Sequence, residues 1–227
     1  MVLEITDTTA FSAVLLSHPM KKLWDISPPV DPHSPVFPGD TPYQQSWSAT
    51  LGVDCPVNVS RLTLSPHVGA HADAPLHYDP QGASIGALDL APYLGPCRVV
   101  HALDAGRLVQ PGHLDGHLAQ LPPRMLVRTC RAFAHERFDP ALTAFAPETL
   151  TCLSDLGVQL VGIDSASVDP ADSKTLPSHQ VLRARGLRVL ENLVLDDVPE
   201  GDYELIALPL KLMCADASPV RAVLRQL

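Results

Sequence analysis

Ser65-Pro66-His67-Val68-Gly69-Ala70-His71-Ala72-Asp73-Ala74-Pro75-Leu76-His77 is the stretch from which the rest of the chain is read. Prolines bracket it and a glycine lies within it, which disfavours a helix and favours an extended segment. In an extended chain alternate side chains share a face. His67, His71, Asp73 and His77 then fall on one face, and Val68, Ala70, Ala72, Ala74 and Leu76 on the other. A helix would pair His67 with His71 but carry Asp73 to the far side. The pattern therefore predicts a strand with imidazole and carboxylate on one face and core on the other.

Imidazole nitrogen and carboxylate oxygen together are the ligand set of zinc and its neighbours. A flat strand separates the Cα atoms of His67 and His71 by ~13 Å, so a bend near Gly69 would help both rings reach one ion. His77 would lie ~20 Å from His71 in a fully extended chain. Pro75 is predicted to turn the chain and leave His77 beside the ion without binding it.

The 227 residues suffice for one domain with a sizeable core. Apolar residues at 46% and charged residues at 18% describe a globular protein. A net charge of −9 argues against nucleic acid and anionic membrane as partners. No apolar run approaches a membrane span. Cys55, Cys97, Cys130, Cys152 and Cys214 are scattered without a C-x-x-C pair, which reads as reduced thiols in a cytoplasmic protein. Residues 1–22 read as a poorly ordered extension, with Met20 as an alternative start, and 23–227 as the domain.

Along that domain, Leu23–Ile26 reads as a short strand. A proline-rich loop follows over residues 28–42, of a length that is usually functional. Phe37 within it is either an aromatic wall for a ligand or a core filler. Residues 45–50 and 57–64 read as strands, the second of mixed phase, as if packed on both sides. Further strands are predicted at 97–103, 124–130, 158–164, 187–190, 203–208 and 220–224. Helices are predicted from Pro111 to Leu121, from Pro147 to Leu156 and from Pro177 to about Gly186. His113 and His117 stand at i, i+4 on the first of these, but no acid shares their phase. Asp164–Pro170 lies just past a strand end, where α/β folds place active-site loops. Glu191 interrupts an apolar run and needs a partner, a metal ion or a guanidinium such as that of Arg188. The sum is a mixed α/β domain rich in strands.

His67-x-Gly69-x-His71-x-Asp73-x-Pro75-x-His77 resembles the metal motif of the cyclase family of hydrolases, and its flanks resemble the bacterial-type kynurenine formamidases in particular. Trp24-Asp25-Ile26-Ser27-Pro28, Pro38-Gly39-Asp40, Gly162-Ile163-Asp164-Ser165 with Asp169-Pro170, His179, Glu191-Asn192-Leu193 and Pro209-Leu210-Lys211 carry the likeness from Trp24 to Leu224. The resemblance implies a swivelling β/β/α single domain with mixed sheets, commonly a homodimer, holding two zinc ions. It implies that His67, His71 and Asp73 hold one ion. Asp73 would also reach the second, with His179, and Glu191 would contact both. His77 would be the general acid/base, and Phe37 would line the substrate site where relatives commonly carry tryptophan. The implied reaction is hydrolysis of N-formyl-L-kynurenine to kynurenine and formate. The alternative is another cyclase-family hydrolase of amides or of cyclic amides and esters. A serine hydrolase is disfavoured because Gly162-Ile163-Asp164-Ser165 has the wrong spacing for a nucleophile elbow.

Overall fold

Segments punctuated by proline and glycine become short strands, apolar where they are buried at the centre of the sheet. In the computed structural model, which describes residues 21–227, they are β1 (Leu23–Asp25), β2 (Gln44–Ala49), β3 (Val59–Thr63), β4 (His71–Asp73), β5 (Leu94–His101), β6 (Leu108–Val109), β7 (Arg124–Arg128), β8 (Ala144–Phe145), β9 (Leu160–Ile163), β10 (Arg188–Glu191), β11 (Gly201–Ile206), β12 (Ala217–Pro219) and β13 (Val223–Gln226). The extension expected over residues 1–22 lies, except for Lys21 and Lys22, outside the described residues.

Nine strands form one mixed sheet in the order β1-β13-β11-β5-β7-β9-β10-β4-β12. Its centre, β5-β7-β9-β10, is parallel, and antiparallel strands flank it on both sides. Among the described residues there are two α-helices, α1 (Pro147–Asp155) and α2 (Pro177–Arg185), and both begin with proline at the first position. That position lacks an intrahelical partner for its N–H in any case. Gly157 and Gly186, at φ +91° and +64°, take left-handed positions just past the two helix ends.

The pleat sorts the sheet into two cores. Cys97, Val99, Leu126, Leu160 and Leu190 point to one side, where they meet Ile26, Tyr93, Leu205 and Leu224. Val100, Met125, Val127, Val161, Ile163 and Val189 point to the other, under Leu150, Leu153 and Leu182 of the helices. Ala70, Ala72 and Ala74 belong to the first core, so His71 and Asp73 must face the helix side. The expected division of that strand into a core face and a chemical face holds here.

The extended reading is too long, however. Only His71–Asp73 is strand. Gly69 turns the chain at φ +68°, and Pro75–His77 forms a 3-10 turn. His77 thus reaches the site through a turn and not through strand phase. The turn is braced by Gly82, where an added Cβ would lie 2.4 Å from the Pro75 carbonyl carbon. Gly82→Ala should cost ~1–3 kcal/mol, the usual range for overpacking, read as a fall in denaturant midpoint.

Two further expectations change. β3 is exposed along its whole length and, among the described residues, pairs only with β2 in a two-stranded hairpin. Mixed phase there reflects the absence of a buried face, not two of them. The helix predicted from Pro111 is a 3-10 segment, Pro111–His117. Gly112 and Gly116 weaken any α-helix across it. His113 accepts the Gln110 amide and His117 lies 3.6 Å from Glu200, so neither joins the site.

Candidate metal centre

β4 is hydrogen-bonded on both edges. Glu191 of β10 stands opposite His71, and Ala217 of β12 opposite Asp73. This register sets His71 directly against Glu191 and Asp73 two residues along, opposite Val189. Asp73 Oδ1 is 3.1 Å from His67 Nδ1 and 3.5 Å from His71 Nε2, and its Oδ2 is 3.5 Å from His179 Nε2. Glu191 Oε2 is 3.2 Å from His71 Nε2, and its Oε1 is 4.0 Å from His179 Nε2. His67, His71, Asp73, His179 and Glu191 are therefore together, although 124 positions separate the first from the last. Arg188 does not pair with Glu191. The Glu191 carboxylate instead accepts the Val168 N–H at 2.7 Å while facing the histidines.

Each ring is oriented from behind. His71 Nδ1 donates to the Gly69 carbonyl at 2.9 Å, which leaves Nε2 facing the cluster. His179 Nδ1 is 2.7 Å from Asp169 Oδ2, and the same carboxylate accepts the Ser178 and His179 amides at the start of α2. Hydrogen bonds of this kind fix a ligating imidazole. Burial opposes charge on His67, but the carboxylates of Asp73 and Asp216 outweigh it and push the ring up to about 10. Burial likewise opposes charge on His179, and Asp169, Asp73 and Glu191 push it up to about 10. Burial works against the Asp73 carboxylate too, yet His179, His67 and His71 hold it well below the usual range.

These residues suit a metal. His71 Nε2, His179 Nε2 and both Asp73 carboxylate oxygens are buried and lack hydrogen-bond partners among the described residues. Orphaned buried polar atoms are costly, and here they converge. Donors ~2.1 Å from one tetrahedral ion stand ~3.4 Å apart, close to the separations observed around Asp73. One donor atom each from His67, His71 and Asp73 lies within 4.8 Å of the others, as does a set from Asp73, His77 and His179.

The cluster lies in a cavity of about 390 Å³, bordered by Phe37, His77, Pro170 and Lys174. Phe37 is 36% exposed and stacks edge-on with Phe138 at 5.0 Å, so it is a wall and not a core filler. A second cavity, about 140 Å³, shares Phe37 and His67 with the first and is also lined by Phe133 and Thr129.

Two acids in the site carried no role in the sequence. Asp216 Oδ2 is 3.0 Å from His67 Nε2 and 3.1 Å from His77 Nδ1, and only pairing of β12 with β4 brings it there. Asp169 had a weak signal, as a carboxylate beyond a strand end and ten residues before a histidine that opens a helix. The sequence also contains a G-x-S-x-G match at Gly82-Ala83-Ser84-Ile85-Gly86. Its Ser84 hydroxyl donates to the Met213 carbonyl at 2.7 Å before a 3-10 turn, so it forms no nucleophile elbow.

A mixed α/β domain whose histidines and carboxylates converge in this way carries a candidate metal centre. The chain belongs to the Cyclase family, whose model matches residues 16–170. It is 66% identical over 209 residues to a kynurenine formamidase of Paracidovorax citrulli, covering 90% of this chain and 97% of that protein. It is also 66% identical over 207 residues to a kynurenine formamidase of Delftia acidovorans, covering 91% and 99%. Among solved structures, one described as a potential metal-dependent hydrolase with cyclase activity aligns with a TM-score of 0.80 at 27% identity, covering 91% of this chain and 98% of that one.

Proposed function

We propose that the protein is a zinc-dependent kynurenine formamidase, which hydrolyses N-formyl-L-kynurenine to L-kynurenine and formate. The observation that carries this is the convergence of four buried donor residues from β4, β10 and α2 with the partly buried His67 from the turn before β4, beside a cavity walled by Phe37. Its likeness to kynurenine formamidases over nine-tenths of the chain narrows the substrate.

His67, His71 and Asp73 would hold one zinc ion. Asp73 and His179 would hold a second, with Glu191 shared between them. When bound, the ions supply polarisation of the formyl carbonyl and a water acidic enough to attack near pH ~7. The chain does the rest. His77, whose side chain is one-third exposed beside the cluster, takes a proton from the attacking water and returns it to the departing aryl amine. Phe37 offers its face to the aryl ring. The Gly69 carbonyl and Asp169 keep His71 and His179 aimed inward throughout.

The test is zinc content per chain measured alongside turnover of formyl-kynurenine and of cyclic amides and esters. Two zinc ions per chain and turnover lost on chelation are expected. Activity retained by fully chelated protein would overturn the reading, and preference for a cyclic substrate would move it to a sister hydrolase. Because His67 and His179 carry protons in the metal-free protein near pH 7, zinc must displace them. Calorimetry in buffers of different ionisation enthalpy should show release of about two protons per chain, with affinity rising as pH rises.

A homodimer belongs to the same proposal. The β2–β3 hairpin leaves Trp47, Val57, Val59 and Leu62 about half exposed, an apolar arm suited to a second copy. Trp47→Asp with Leu62→Asp should convert a dimer to a monomer in sedimentation, and an unchanged sedimentation coefficient would remove the hairpin from the interface.

A further inference from the structure

We propose that Asp216 is a positioning residue that fixes the tautomer and aim of His77 and couples that ring to His67 through one shared oxygen. The proposal rests on His77 as the proton carrier of the reaction above.

Asp216 is held firmly. Its carbonyl accepts the Ala74 N–H at 2.8 Å, and the next residue, Ala217, sits opposite Asp73 in the β12–β4 ladder. The strand that carries the cluster thus also places this carboxylate. Asp216 Oδ2 meets His67 Nε2 at 3.0 Å and His77 Nδ1 at 3.1 Å, and the two rings lie 4.4 Å apart.

An ionised carboxylate only accepts hydrogen bonds, so each nitrogen facing it carries the proton. For His77 this assigns N–H to Nδ1 and leaves Nε2 as the nitrogen that can take and return a proton. For His67 it assigns N–H to Nε2, so that Nδ1, which faces Asp73 at 3.1 Å, is the nitrogen that would give up its proton to an ion. A single oxygen therefore orders a ligating ring and a proton-carrying ring together. His77 needs that restraint more, because its side chain is one-third exposed on a three-residue turn. Loss of the acceptor frees the ring to rotate and exchange tautomers.

The competing role for Asp216 is as a ligand, since His67, His77 and Asp216 also place donor atoms within 4.8 Å of one another. The experiment separates the two. Zinc-loaded full-length protein labelled with ¹⁵N-histidine would be compared with Asp216→Ala and Asp216→Asn by long-range ¹H–¹⁵N spectroscopy, zinc content and kinetics. Expected for the wild type is His77 with its proton on Nδ1. Asp216→Ala should lose that preference and keep its zinc, with kcat lowered ~10–100-fold and KM changed less than about twofold. If Asp216→Ala does not fold, Asp216→Asn preserves the volume and removes the charge, and carries the same comparison. Zinc lost from a folded variant would make Asp216 a ligand and overturn the proposal, as would an unchanged tautomer with unchanged kcat. The tautomer and the zinc count are read without substrate. Failure of formyl-kynurenine as substrate would therefore leave them standing and bear only on the assigned reaction.

Discussion

Asp73→Ala should leave a folded chain that retains neither metal ion and turns substrate over no faster than chelated protein. Asp73 lies within 3.5 Å of all three of His67, His71 and His179, whereas Glu191 approaches His71 and His179 at 3.2 and 4.0 Å, so Asp73 alone among these two carboxylates reaches His67 as well. Removing it withdraws a ligand from both ions together. Lewis-acid stabilisation worth about 4 kcal/mol corresponds to ~10³-fold in rate, and the loss should be at least that. The strand should survive, because its ladders to β10 and β12 are made by backbone. In the metal-free wild type the depressed Asp73 carboxyl contributes stability at neutral pH that is lost only in acid, as pH falls through its lowered folded value. The variant should therefore lose part of that acid-dependent stability. Metal analysis, thermal melting and turnover on one preparation test this. Two ions retained in active Asp73→Ala would end its role as the bridge.

His77→Ala should keep both ions and lose ~10²–10⁴-fold in kcat, the range for general acid–base catalysis. His77 lies outside the buried group of donors. Its ring centroid is 5.8 Å from that of His179, and its Nδ1 is turned to Asp216. An aryl amine is a poor leaving group without a proton, and His77 is the imidazole at the cavity wall that is free to move one. Partial rescue by added imidazole would support the assignment. Loss of an ion on this substitution would instead make His77 a ligand, alongside Asp73 and His179.

Much of this centre was legible before folding. The alternation from Ala70 to Ala74 placed His71 and Asp73 on one face because strand period is a local property, and the pleat observed is the one predicted. The helices opening at Pro147 and Pro177 were legible for the same reason, since proline and glycine act on their own backbone. The phase argument overreached at His67 and His77, which enter through a bend at Gly69 and a 3-10 turn at Pro75. It overreached again at β3, whose mixed pattern described a strand with no buried side.

The sequence by itself determined which residue types would gather, which face of β4 they would occupy, and that a lone acid at Glu191 required a partner. Only the tertiary structure decided that this partner was the histidine cluster and not Arg188, that Asp169 would stand behind His179, and that Asp216 would lie between His67 and His77. The physical reason is range. Side-chain phase and chain turns follow from neighbouring residues, whereas the meeting of β4 with β10 and β12 depends on hydrogen-bond register between strands more than a hundred residues apart. No local pattern records that register.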